Sequence, residues 1–85
     1  MSDLKSQFEA ALQAVKGLSE RPDNEVLLKL YALYKQATDG DAHGEKPKFW
    51  DVVGAAKFEA WEKLKGLDKD QAMQKYIDLV ARLTG

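Results

Sequence analysis

The chain has 85 residues, 45% hydrophobic and 32% charged, with a formal net charge of −1. That length allows one domain (residues 1–85) with one modest core, and the near-neutral charge gives no global field to draw the chain onto nucleic acid or an anionic membrane. The lack of cysteine excludes a disulfide framework, a thiolate metal site and a cysteine nucleophile, and a single histidine, His43, makes a His-based metal site or triad improbable.

Residues 3–18 read as the first helix. Leu4, Phe8, Ala11, Val15 and Leu18 recur at alternating steps of four and three, which keeps them on one face. Asp3 or Ser2 can cap its start by accepting from exposed backbone N–H groups. Gly17 and then Arg21-Pro22 end it, since proline disfavours helix in the residue before it. Asp23 or Asn24 caps a second helix, with Glu25 at the positive end of its dipole, and this helix should stop near Asp39-Gly40. Residues 40–51 hold Gly40, Gly44 and Pro47 without a sustained period, so they form the longest loop. A loop of that length is more often functional or ligand-positioned. It carries Lys46 and Lys48, with Phe49 and Trp50 expected to pin it down. Asp51 can cap a third helix running through Lys65, with Val52, Ala56, Trp61 and Leu64 at apolar positions and Gly66 suited to the left-handed residue past its end. Asp68 and Gln71 have the spacing of a capping box for the fourth helix, with Leu67 placed to staple onto Ala72. Met73, Tyr76, Ile77, Val80 and Leu83 give that helix its apolar face.

No segment alternates like a strand, and no linker or internal repeat interrupts the chain. The expected class is all-α, a four-helix bundle. The long link between helices two and three permits that pair to run parallel. No apolar run approaches the ~18 residues of a membrane span and no signal-peptide pattern opens the chain, so a soluble, cytoplasmic protein without membrane insertion is expected.

Helix two stands apart. Its apolar and aromatic residues from Val26 to Thr38 cover roughly 220°, where packing on one core needs little more than about 100°. Such a helix has two surfaces to cover. Tyr31, Tyr34 and Lys35 sit at i, i+3 and i+4 and share a face. An aromatic ring can stack on a base, a phenol can donate to a phosphate and an ammonium can pair with it. The same spacing equally suits two core tyrosines and a solvated lysine. Lys57 shares a face of helix three with Trp61 and could close the other side of a phosphate site, or be solvated on an ordinary amphipathic helix. Tyr76 is a lone phenol in the apolar stripe of helix four. Nothing resembles a paired general acid and base.

Tyr34-Lys35-Gln36-Ala37-Thr38-Asp39-Gly40-Asp41 closely resembles the Y-K-Q-A-T-x-G-D segment of the acyl-CoA-binding protein family. The likeness continues through Lys46-Pro47, Ala56-Lys57-Phe58-Glu59-Ala60-Trp61, Leu64-Lys65-Gly66 and Ala72-Met73-Gln74-Lys75-Tyr76-Ile77. Phe8, Val15, Leu18 and Pro22 fit the family's first helix and turn. The resemblance implies four helices in up-down-down-up order. It also implies a monomeric, non-enzymatic carrier, without cofactor, that binds fatty acyl-CoA thioesters and does not bind nucleic acid. In that family Tyr31, Lys35 and Lys57 correspond to residues holding the 3′-phosphate, Tyr34 to the ring near the adenine, and Lys16 to a basic position facing the nucleotide. Tyr76 corresponds to a tyrosine beside the ligand, and Leu27 and Leu28 to residues lining the acyl groove. The sequence departs from the family pattern at Leu12, Val53, Ala55 and Phe58. A helical protein-interaction module is the alternative reading of the wide apolar face.

Overall fold

In the computed structural model, which describes residues 3–85, four α-helices follow one another: α1 (Leu4–Lys16), α2 (Asn24–Asp39), α3 (Val52–Glu62) and α4 (Lys69–Thr84). No strand occurs among the described residues, so the all-α expectation is borne out. Asp3 caps α1, accepting the Ser6 N–H at 2.7 Å. The other candidate, Ser2, lies outside the described residues. Asp23 caps α2 through the Val26 N–H at 3.0 Å and Asp51 caps α3 through the Gly54 N–H at 3.0 Å. Asp68 and Gln71 form the capping box of α4, with Gln71 Oε1 accepting the Asp68 N–H at 3.3 Å. Each aspartate supplies an acceptor where the first helical turn leaves N–H groups without intrahelical partners.

α4 is the central element. α1 packs on one side of it and α2 on another, and α3 packs against α2 alone. The core is Phe8 and Ala11 of α1, Leu30, Leu33 and Ala37 of α2, and Ala72, Tyr76, Leu79 and Val80 of α4. Leu67 packs against it from the turn before α4, as a staple would. Lys57 reaches over the Tyr31 ring, and farther along both helices Trp61 bonds to Gly40. The chains of α2 and α3 therefore advance in the same direction, as the long loop permits. α4 runs against α2, since the end of α2 meets its beginning through Gln36 and Leu67.

The wide apolar arc of α2 thus covers two neighbours. Leu30, Leu33 and Ala37 enter the α1–α4 core, while Leu27, Leu28 and Tyr31 face α3 across a cleft. The molecule measures only 15 Å in its thinnest direction, little more than one helix diameter. A large ligand must lie in surface clefts rather than in an enclosed cavity.

Two expectations need correcting. α3 ends at Glu62, three residues before Lys65. The Leu64 and Lys65 N–H groups bond three residues back, to Trp61 O at 3.0 Å and Glu62 O at 3.1 Å, so the chain tightens into a turn that swings Gly66 and Leu67 toward α2. Gly66 still takes the left-handed conformation, φ 90°. The second correction concerns the loop. Phe49 and Trp50 do not pin it: they are 87% and 67% exposed and pack edge-to-face on one another, ring centroids 5.1 Å apart. Val52 is likewise 73% exposed. α3 packs against α2 alone, and Val52 in its first turn borders an open cleft toward that helix, so it stays exposed.

Candidate functional site

The end of α2 is fixed first. Gln36 has no exposed surface and its Nε2 donates to Leu67 O and to Asp41 Oδ1, both at 2.8 Å. Both partners are acceptors, so the amide nitrogen must face them. Gln36 Oε1 is buried without a partner among the described residues. Asp41 Oδ1 also takes the Gly66 N–H at 2.8 Å, and Trp61 Nε1 donates to Gly40 O at 2.7 Å. Gly40 sits at φ 82°, ψ −149°, a region open essentially to glycine. Thr38 Oγ1 returns to Tyr34 O at 2.9 Å. Much of the 34–41 segment is therefore a knot that ties α2 to the α3–α4 turn and holds α2 in register.

That register brings Tyr31 and Lys35 of α2 beside Lys57 and Trp61 of α3. Lys57 Nζ stands 5.2 Å from the Tyr31 ring centroid. Four residues along α2, Lys35 Nζ lies 4.9 Å from the Trp61 ring centroid and 2.5 Å from Asp39 Oδ2. The hydrogen bond to Asp39 raises the Lys35 pKa, against the opposing pull of desolvation. The Asp39 carboxyl is lowered by the same bond. Tyr34 stays exposed and stacks on Phe8 at 6.2 Å and 22°. Tyr76 is buried behind it and meets Phe8 edge-on at 5.2 Å. Burial, and secondarily Tyr34, pushes the Tyr76 phenol upward, so it stays neutral and can donate. No hydrogen bond ties the Tyr76 hydroxyl among the described residues. Lys16 is exposed at the last turn of α1, on a different helix from the other lysines of the candidate site.

Next to this wall runs a cleft of about 510 Å³ between α2 and α3. Leu27, Leu28 and Tyr31 form one side, Val52, Val53, Ala56 and Lys57 the other, with Arg21 and Asn24 at its end. Tyr31 and Lys57 belong to both features, so the cleft opens directly beside the cationic wall. A larger cleft, about 620 Å³, lies between α2 and α4 with Lys29, Lys65, Lys75 and Arg82 on its rim. It holds none of Lys16, Leu27, Leu28, Tyr31, Tyr34, Lys35, Lys57 and Tyr76. Its cations lack the aromatic neighbours that the first site has.

Several parts of the site escape a reading of the sequence. Val52, Val53 and Ala56 line the cleft, although the sequence marked Val52 and Ala56 only as apolar positions of the third helix and Val53 only as a departure from the family pattern. Positions 52, 53, 56 and 57 fall on one arc at 100° per residue, which could have revealed them. Phe8, assigned to the core, also supports both tyrosines. The carboxylate on Lys35 was legible as an i, i+4 pair.

An apolar cleft opening beside lysines and tyrosines suits an anionic amphiphile, and relatives bear on which one. The sequence model described as Acyl CoA binding protein matches residues 5–80. The chain belongs to the acyl-CoA-binding protein family. It is 49% identical over 76 residues to acyl-CoA-binding protein homolog 1 of Caenorhabditis elegans, covering 89% of this chain and 88% of that protein. It is 48% identical over 80 residues to human enoyl-CoA delta isomerase 2, covering 94% of this chain but 20% of that protein. The chain thus spans about a fifth of that relative's length. Among solved structures, acyl-CoA-binding protein 2 of Oryza sativa superposes with a TM-score of 0.90 at 36% identity, covering 94% of this chain and 87% of that one. The acyl-CoA-binding protein fold, with its parallel α2–α3 pair, is therefore the fold of this chain.

Proposed function

We propose that this protein binds medium- to long-chain fatty acyl-CoA thioesters non-covalently and carries or buffers them in the cytoplasm. The observation that carries this reading is the continuity of the Tyr31–Lys57 cationic wall with the apolar α2–α3 cleft. An acyl-CoA has several phosphate charges at one end and an alkyl chain at the other, and each finds a matching surface. Burying the chain contributes roughly 0.8 kcal/mol per CH₂, so tight binding needs no reactive group.

Within this reading, Tyr31, Lys35 and Lys57 hold the 3′-phosphate through charge-assisted hydrogen bonds. Tyr34, exposed and backed by Phe8, stacks near the adenine. Lys16 faces the nucleotide from α1, and the untied Tyr76 hydroxyl donates to the ligand from behind. Leu27 and Leu28 line the acyl path. Residues 1–85 act as a single acyl-CoA-binding domain and as a monomer. No helix among the described residues is long and apolar enough to cross a membrane, which agrees with a carrier rather than an integral protein.

The protein is a binder and not an enzyme. Family membership supports binding, and likeness to a fifth of an isomerase transfers no isomerase chemistry. The interaction-module alternative is not favoured, because the second apolar face of α2 is accounted for by α3 and the cleft. Calorimetry with palmitoyl-CoA tests the reading: saturable heat at micromolar ligand is expected, and no heat there overturns it. Lys35→Ala is expected to weaken binding about tenfold or more, and unchanged affinity would remove Lys35 from the phosphate site.

A further inference from the structure

The cleft of about 620 Å³ between α2 and α4 takes no part in the proposed acyl-CoA site. Lys29 of α2, Lys65 of the α3–α4 turn, and Lys75 and Arg82 of α4 stand round it, all exposed. None of these four makes an ion pair among the described residues. A fifth cation, Lys63, faces Glu59 at 3.7 Å. Among the described residues, Asp78 is the one acid that lines the cleft, and it accepts the Gln74 amide at 2.9 Å. Asp41, just outside, acts on Lys65, while Glu25, one turn before Lys29, lines the neighbouring groove between α2 and α3 instead. With the Lys63–Glu59 pair set aside and both Asp78 and Asp41 counted, four cations still face two carboxylates. The floor is apolar but short. Leu33 and Leu79 are only 4% and 8% exposed, so the surface left to cover belongs to the half-buried Leu64 and Leu67.

We propose that this cleft docks an acidic amphipathic helix of a partner protein and leaves the α2–α3 cleft free. The spacing of the charges selects that occupant. Lys75 and Arg82 are seven residues apart on α4, roughly 10 Å of helix axis, and Lys29 and Lys65 stand on α2 and at the turn. No compact anion reaches all four, and Asp78 stands between Lys75 and Arg82, where a dense phosphate cluster would fall. Carboxylates on successive turns of a helix can straddle Asp78 and meet the cations on either side of it. No aromatic ring lines the cleft for a base to stack on, which disfavours a nucleic acid strand. An alkyl chain finds too little apolar floor, whereas Leu64 and Leu67 suffice to cover one or two leucine-sized side chains. A helix that turns its apolar stripe into a groove is a recurrent mode of peptide recognition, and complementary rim charges set its register and speed encounter. This cleft shares no lining residue with the α2–α3 cleft, so partner and acyl-CoA can be held at once.

The test is fluorescence anisotropy of the full chain, without acyl-CoA, against a labelled synthetic helix of about 14 residues, roughly four turns, with leucines on one face and glutamates flanking them. Saturation at micromolar protein is expected, and lysines in place of the glutamates should abolish it. Lys75→Glu/Arg82→Glu should weaken the acidic peptide about tenfold or more and bind the lysine peptide instead, with unchanged helical circular dichroism and unchanged palmitoyl-CoA affinity. Lys5→Glu/Lys48→Glu makes the same change in net charge away from the cleft and should leave peptide binding as it was. Absence of saturation with the acidic peptide, or an equal loss in the two double variants, overturns the proposal. So does displacement of the peptide by equimolar pyrophosphate, which would make the site one for a small anion, or by palmitoyl-CoA, which would put the peptide in the α2–α3 cleft. The direct titration contains no acyl-CoA, so its outcome is separate from calorimetric failure of the carrier reading.

Discussion

Gln36 Nε2 donates to Asp41 Oδ1 at 2.8 Å, and the same oxygen accepts the Gly66 N–H at 2.8 Å. One carboxylate thus joins the end of α2 to the turn before α4. Gln36 completes the link by donating to Leu67 O at 2.8 Å. Trp61, at the end of α3, adds its bond to Gly40 O. Three helices converge on these few polar atoms, and the proposed ligand wall, Tyr31 to Lys35, immediately precedes Gln36 along α2.

Gln36→Ala is expected to destabilise the protein by about 2–4 kcal/mol, because it opens a cavity and leaves Leu67 O and Asp41 short of a donor. Urea unfolding measures this. Palmitoyl-CoA affinity of the folded fraction should fall far less than in Lys35→Ala. A stability loss within error would mean that the Gln36 hydrogen bonds do not hold the helices together.

Gly40→Ala places a Cβ at φ 82°, where an L-residue is strained by about 1–3 kcal/mol. Thermal unfolding should show a lower midpoint. The nearest side-chain atom a new Cβ would meet is Lys69 Cε at 3.5 Å, an ordinary contact, so the loss reports backbone strain rather than a clash.

The four helices were legible because their signals are local. Asp23, Asp51 and Asp68 stand at caps, and the apolar spacing of α1 and α4 fixes one face each. The end of α3 was not legible, because it is set by Gly66 meeting Asp41 and Leu67 meeting Gln36, contacts 25 and 31 residues apart in sequence. Phe49 and Trp50 misled for the opposite reason. Aromatic character states what a side chain gains by burial, but not whether a neighbour is within reach. At the site, Tyr31, Tyr34 and Lys35 could be grouped from helical spacing. Their meeting with Lys57 needed the parallel α2–α3 pairing. The 34–41 segment carried the family resemblance, and within it Gln36, Gly40 and Asp41 serve the scaffold.

Stability should fall in acid. The carboxyls of Asp3, Asp39 and Asp41 are held below their ordinary value, chiefly by the Ser6 N–H, by Lys35 and by the Gly66 N–H respectively. A lowered native pKa favours the ionised folded state. Its contribution is complete above the ordinary carboxylate value of about 3.9 and is lost as pH falls through the native values. Lys35, raised by Asp39, gives the converse at the other extreme, losing its contribution as pH rises past the ordinary lysine value of about 10.4. Thermal midpoints across the acid range should decline, and Asp41→Asn should flatten that decline. An unchanged acid limb in Asp41→Asn would remove Asp41 from the linkage.

If Lys35 holds the 3′-phosphate as proposed, Asp39 competes with the ligand for it. Its carboxylate lies 2.5 Å from the ammonium, the atom assigned to the 3′-phosphate, so binding must exchange one anion for another. The pair is partly open to water, and ion pairs of that kind are weak. The exchange therefore costs little but is not free. Asp39→Asn keeps the shape of the side chain and removes the competing charge. It is expected to tighten palmitoyl-CoA binding by up to about fivefold, with the gain shrinking as salt screens the phosphate contact. In Lys35→Ala the same Asp39→Asn change should lose most of its effect, because no ammonium remains for the carboxylate to occupy. A double-mutant cycle by calorimetry separates the two cases. Equal gains in both backgrounds would mean that Asp39 acts through its general negative field, and no gain in either would mean that Lys35 does not meet the ligand.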